Sequence, residues 1–151
     1  MSLEQWLQNG WIHRHDPTLP EIQKLLQVVD RERSDATARG ISADGKFEHA
    51  YTAALQLCVL ALHATGYDVR KGDSRHKRAI DSLRYTLGPP WAETADYLER
   101  CSRQRGQAMY ERIDVVSRQD ADELLDSVEQ LRADVVDWLK GNYPELLPPG
   151  V

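Results

Sequence analysis

Residues 102–111 read SRQRGQAMYE. Within them Arg103 and Tyr110 stand seven residues apart, which on an α-helix puts a guanidinium and a phenol on one face within about 20°. Arg105 and Arg112 repeat the spacing on an adjoining ridge. Gly106 lies between Arg103 and Tyr110, and a glycine in a helix interior costs about 1 kcal/mol relative to alanine. Arginines bind phosphate oxygens bidentately and stabilise the charge that develops when a phosphodiester is attacked. The gap at Gly106 leaves room for a phosphate, a nucleotide base or the backbone of another helix, the last being the plain structural explanation.

A second set of cations, Arg70, Lys71, Arg75, Lys77 and Arg78, surrounds His76 in the connector YDVRKGDSRHKR. It could hold phosphates at the mouth of the same cleft, or be a solvated basic loop. His76, at the start of a short helix, is the histidine in this region that could assist chemistry. His13 and His15, with Asp16, resemble a metal cluster only superficially, because the spacing occurs before Pro17 with no further ligand nearby in sequence, and no metal site is expected. His49 and His63 read as structural. No Gly-rich phosphate loop, Ser-His-Asp set or paired-carboxylate constellation stands out, so no cofactor is expected.

The elements that must position these groups are helical. Leu124, Val128, Leu131, Val135 and Trp138 recur at spacings of four and three, with Ala121 leading them in. Ser117 with Asp120 reads as a capped start, and Gly141 and Pro144 as the stop. The opposite face, with Arg118, Asp122, Glu129, Arg132 and Lys140, reads as solvated. Ile22, Leu25, Leu26 and Val29 predict a helix from near Pro20 that fades before Gly40. The stretch from Ala50 to Gly66, AYTAALQLCVLALHATG, is apolar at nearly every angle and predicts a central helix whose alanines permit close approach. Ala79, Ile80, Leu83 and Leu87 predict a short helix ended by Gly88, Pro89 and Pro90. Trp91, Ala95, Leu98 and Cys101 begin the helix, about Trp91 to Arg112, that carries the arginine motif. No sustained alternation of a strand type and no internal repeat appears. The pattern predicts an all-α bundle of four main helices with an additional short helix, a single domain over 1–151 with a lead-in (1–19) that packs Trp6 and Trp11 against the bundle, and a tail (144–151).

A chain of 151 residues with 41% apolar residues suffices for one core. The formal charge of -5 excludes coating of nucleic acid through the net field. The charge is nevertheless divided: Arg70 to Arg112 holds ten Lys/Arg against six Asp/Glu, and the rest of the chain nine against eighteen. Cys58 and Cys101 have no CxxC spacing and read as reduced core residues. With no leader and no apolar run of about 18 residues, the expectation is a cytoplasmic chain without a membrane span.

Arg103, Arg105, Gly106, Tyr110 and Glu111 are similar to the R-x-R-N-x-x-x-Y-D/E pattern of bacterial proteins of the HEPN superfamily, the higher eukaryote and prokaryote nucleotide-binding domain. The likeness extends to the EQWL-x-x-GW lead-in, to Ala50–Leu57, to the H-x-R-x-I-x-S-L-like stretch from His76 to Leu83 and to an amphipathic last helix. It covers most of the chain from Glu4 to Leu139. The resemblance implies an up-and-down four-helix bundle that pairs as a homodimer, bringing both arginine motifs into one cleft. It implies metal-independent endoribonuclease activity or RNA binding in a toxin-antitoxin or phage-defence system, with a nucleotidyltransferase-type antitoxin as a partner, or else a catalytically inactive module that binds a nucleotide or a protein. Carried onto this sequence, Arg105 and Tyr110 take the catalytic positions and Arg103, Gly106, Glu111 and Arg112 the substrate-binding ones, to which the reading of the basic connector adds His76 and Arg78.

The sequence departs from the pattern in two ways. Glycine replaces the polar residue at 106, and the histidine that the superfamily's general motif carries four to six residues after that polar residue is absent, since no histidine follows His76. RNA cleavage needs a 2′-hydroxyl deprotonated and a leaving oxygen protonated, work suited to a group with pKa near 7. A tyrosine of ordinary pKa about 10 is roughly one part in a thousand ionised at pH 7, a handicap on the order of 4 kcal/mol as a base. Neighbouring arginines lower it, and as an acid the neutral phenol is less handicapped. The resemblance also implies an alternative role for Tyr110, as an acceptor for adenylylation by a partner nucleotidyltransferase, since an added phosphate is welcome beside arginines.

Overall fold

The computed structural model describes residues 1–110 and 115–151 of the chain. It is 72% helical with one small sheet, so the chain belongs to the all-α class. The elements are α1 (Leu3–Gln8), β1 (Ile12–Arg14), α2 (Leu19–Asp35), α3 (Ala43–Thr65), β2 (Tyr67–Val69), α4 (Arg75–Asp81), α5 (Leu83–Thr86), α6 (Ala92–Tyr110) and α7 (Arg118–Asn142). Single 3-10 turns at Pro89–Trp91 and Pro144–Leu146 precede α6 and follow α7.

The apolar stretch becomes the centre of the molecule. On α3, Phe47, Ala50, Ala54, Leu57, Cys58 and Leu60 are among the side chains buried around the axis. Helices α2 and α7 pack most extensively on it, and α4, α5 and α6 cover the remaining side. Ser42 caps its start by accepting from the Gly45 amide at 3.0 Å. Gly66, at φ 102°, ends it in the left-handed conformation that glycine adopts without a Cβ penalty. Helix α3 begins seven residues before Ala50 because Ser42 supplies the cap, and Phe47 continues the buried face.

The lead-in packs as expected. Trp6 is buried, with edge-to-face contacts to Trp11 at 5.9 Å and Tyr85 at 5.4 Å. What the periodicity did not show is a two-stranded antiparallel pairing of β1 with β2, in the register Ile12↔Val69, His13↔Asp68 and Arg14↔Tyr67. Three-residue strands are too short for alternation to register. The short helix after the connector is broken at Ser82, a fully buried serine whose hydroxyl donates to the Ala79 carbonyl at 2.6 Å.

The polar face of α7 is not simply solvated. Arg132 reaches Asp30 of α2 through Nε and Nη2 at 2.7 and 3.1 Å, and Arg33 of α2 bonds both Asp30 and Glu129. Lys46 pairs with Asp122 at 2.6 Å, and Arg118 donates to the Ile41 carbonyl at 2.9 Å. Burial pushes the Asp30 carboxyl up, and the hydrogen bonds and charges of Arg132 and Arg33 outweigh it, leaving its pKa below the ordinary value. Amphipathic spacing identifies which face is polar; it carries no information on which other helix that face meets. Among the described residues no helix is long and apolar enough to cross a membrane.

Candidate functional site

The arginine motif occupies the second half of α6, against α3. Arg105 donates from Nε to Glu48 Oε2 at 2.7 Å and from Nη2 to Oε1 at 2.9 Å, a bidentate pair, with Tyr51 one turn further along α3 beneath it. The guanidinium carbon lies 5.1 Å from the Tyr51 ring centroid, and the Tyr51 hydroxyl donates to Ser102 Oγ at 3.2 Å. Arg105 is thus half-buried and oriented, whereas Arg103 is exposed. At Gly106 an added Cβ would meet nothing within 4 Å among the described residues, so no described helix uses this glycine for close approach. Gln104 ties α6 to the start of α7, donating to the Val115 carbonyl at 3.1 Å and to Asp120 at 2.9 Å. Tyr110 is the last residue of α6; its side chain, and the whole of Glu111 and Arg112, lie outside the described residues.

Helix α4 brings the basic connector to this motif. A groove of about 290 Å³ between α4 and α6 is lined by Gly72, Asp73, Arg75, His76, Lys77 and Ser102. Arg75 and His76 also line an adjoining cavity of about 300 Å³ that reaches His63 and Asp68. Burial lowers the pKa of His76, the positive charges of Arg75 and Arg105 lower it further, and Glu48 partly opposes them. At pH 7 its imidazole is therefore neutral and able to accept a proton. His76, on α4, thus lies within the electrostatic reach of Arg105 on α6.

Arg78, one turn from Arg75 in sequence, goes elsewhere. Its guanidinium carbon stacks 4.7 Å from the Trp11 ring centroid, in a separate cavity of about 340 Å³ that also contains Trp6 and Tyr85. The structure thus sets His76 within the electrostatic reach of Arg105 and places Arg78 in another pocket. Sequence reasoning missed Glu48, Tyr51 and Ser102. Ser102 lies inside the quoted motif, but nothing in the spacing pairs Glu48 with a residue 57 positions away.

A second constellation lies at the β1–β2 end. His15 Nε2 is 2.7 and 2.9 Å from the two Glu21 carboxylate oxygens, and His63 Nδ1 is 3.1 Å from Glu21 Oε1. Glu21 comes from the first turn of α2 and His63 from the last turn of α3. Spacing gave no signal for this, since His15 and His63 are brought together only by the β1–β2 pairing and the α2–α3 packing.

The two cysteines are buried free thiols, and burial pushes Cys58 up to about 12. Neither is a nucleophile at neutral pH. No family model, curated protein or solved structure matches the chain.

Proposed function

We propose that the protein is an RNA-directed helical protein of the HEPN type, holding a phosphodiester in the groove between α4 and α6. The observation that carries this reading is the groove that sets the half-buried His76 imidazole among Arg75, Lys77 and Ser102, where burial and the charges of Arg75 and Arg105 lower its pKa. Arg75 and Lys77 are exposed and supply phosphate contacts; Ser102 supplies a hydroxyl. His76 takes the 2′-hydroxyl proton, the 2′-oxygen attacks phosphorus, and the 5′-oxygen leaves with a proton from an acid. Tyr110 is the residue of the motif for that acid role. In a homodimer of the family type the two grooves converge and each contributes to the same cleft. The setting that fits is a toxin-antitoxin or defence system with a nucleotidyltransferase-type partner, where Tyr110 is the adenylylation acceptor.

A second reading has its own support. Glu48 already occupies two donors of Arg105, and Gly106 replaces the polar residue of the pattern. Both favour a catalytically inactive module that binds RNA or a nucleotide without cutting it.

Incubation of labelled single-stranded RNA with wild type and with His76→Gln, read for binding and for fragments, separates the readings. Fragments from wild type and intact RNA with the variant, at equal binding, support cleavage through His76. Binding without fragments from either protein supports the inactive module. Absence of RNA binding refutes the cleavage reading, and absence of binding to RNA and to ATP alike refutes the inactive module as well.

A further inference from the structure

We propose that His15, Glu21 and His63 form a divalent-metal site that clamps the β1–β2 end of the molecule, with Asp68 orienting His63 from behind. One ligand atom from each of the three residues lies within 4.8 Å of the others. They are carried by separate elements that are already fixed. The His15 amide donates to the Gly66 carbonyl at 2.9 Å. Glu21 sits in the first turn of α2, its amide bonded to the Thr18 cap at 3.4 Å. His63 is in the last turn of α3.

The hydrogen-bond inventory of His63 argues for more than a carboxylate bridged by two imidazoles. If Glu21 accepts from both rings, His63 carries its proton on Nδ1 and presents a bare lone pair at Nε2. Nε2 is buried, stands 3.0 Å from Asp68 Oδ1 and makes no well-directed hydrogen bond. A neutral ring in that tautomer sets a lone pair against a carboxylate. A metal on Nδ1 moves the proton to Nε2, where Asp68 can accept it. That is the carboxylate–histidine–metal arrangement by which outer ligands fix a tautomer and ring orientation.

The donor set selects the ion. Two imidazoles and one carboxylate suit borderline divalent ions such as Zn²⁺ and Co²⁺ over Ca²⁺ or Mg²⁺, which prefer all-oxygen sites. Metal–ligand bonds near 2.0–2.1 Å place the donors of a tetrahedral site about 3.4 Å apart. The Glu21 Oε1 distances of 2.7 Å to His15 and 3.1 Å to His63 are therefore short of that by about 0.7 and 0.3 Å. The His15 and His63 rings stack at 4.2 Å with 32° between their planes, so opening the cluster needs only small side-chain rotations. A water completes the fourth position. The ion's role is structural, joining the loop after β1 to α2 and α3, and it is independent of any RNA chemistry.

The test uses the full chain freed of metal by chelator. Co²⁺ is titrated with its visible absorption followed, and Zn²⁺ by calorimetry and thermal unfolding. One equivalent per chain is expected, with the intense d–d bands of tetrahedral Co²⁺. At a Zn²⁺ excess of a hundredfold over Kd, Tm rises by about 5–10 °C. Glu21→Gln keeps a side-chain acceptor of the same shape but lowers affinity by at least tenfold, as does His15→Asn. Asp68→Asn weakens binding tenfold or more through the orientation of His63. His13→Ala and His49→Ala leave affinity unchanged. Absence of a stoichiometric complex overturns the proposal and leaves a hydrogen-bonded cluster only. Binding that survives Glu21→Gln and His15→Asn together, or that is lost in His49→Ala, also overturns it by placing the ion elsewhere.

Discussion

Replacing Glu48 by glutamine tests how Arg105 is held and what it is held for. The substitution keeps the size of the side chain and one oxygen acceptor but removes the charge that receives Nε and Nη2 of Arg105. The Glu48 and Arg105 side chains are 40% and 25% exposed, so solvent screens the pair and the cost lies near the surface-pair range. The bidentate geometry and the Tyr51 ring beneath place it at the upper end, about 1 kcal/mol. For a chain of this length that lowers Tm by about 2–4 °C. The same change removes the carboxylate that competes with a phosphate for Arg105. A charge-assisted hydrogen bond from Arg105 to the phosphate is worth about 1.5 kcal/mol, so RNA affinity rises about tenfold. Glu48 also supports the protonated form of His76, so the His76 pKa falls further in the variant. Thermal unfolding, anisotropy of a labelled single-stranded RNA and a histidine titration by NMR read the three effects. Weaker or unchanged RNA binding by a folded Glu48→Gln protein would refute the reading that Glu48 competes with a phosphate for Arg105.

Three further outcomes follow from the same geometry. Gly106→Ala meets open space among the described residues and improves helix propensity, so it stabilises by about 1 kcal/mol by denaturant unfolding; a loss of RNA affinity alongside that stabilisation would assign the gap to the ligand. Asp30→Asn takes a partner from Arg33 and Arg132 and costs about 1 kcal/mol at pH 7, given the partial exposure of Asp30. Because the folded-state pKa of Asp30 is lowered, its contribution is present above the unfolded carboxylate value of about 3.9 and is lost as pH falls through the folded value, so wild type and variant converge in stability below about pH 4. Cys58 and Cys101, both buried with raised pKa, resist a thiol reagent at pH 8 in the native protein and react on unfolding.

Much of the fold is written locally. The all-round apolar stretch specifies the central helix α3 because only a position covered on most sides tolerates such a pattern, and Leu124 to Trp138 specify the buried face of α7. Three-residue strands, the break at the buried Ser82, and the start of α3 at a serine cap depend on single side chains or on distant partners, and periodicity averages over those. The same division holds for the site. The spacing of Arg103, Arg105 and Gly106 marks α6 as unusual, but what surrounds Arg105 comes from α3 and α4. His76 stands upstream of the motif in sequence, on α4, and comes near it because proximity here is set by helix packing. His15 and His63 are separated by the whole of α2 and most of α3, so no local pattern could join them.

At the centre of the proposed function is the α4–α6 groove, taken to receive RNA phosphates through Arg75 and Lys77. Both side chains are exposed, so Arg75→Ala with Lys77→Ala leaves the fold in place. The measurement is the dependence of log Kd for single-stranded RNA on log salt concentration, for wild type and for the double variant. Each phosphate contact contributes a slope of about 0.7 on a single strand, so the double variant is predicted to bind more weakly, with a slope reduced by about 1.4. A double variant that binds RNA with wild-type affinity and an unchanged slope would contradict the proposal.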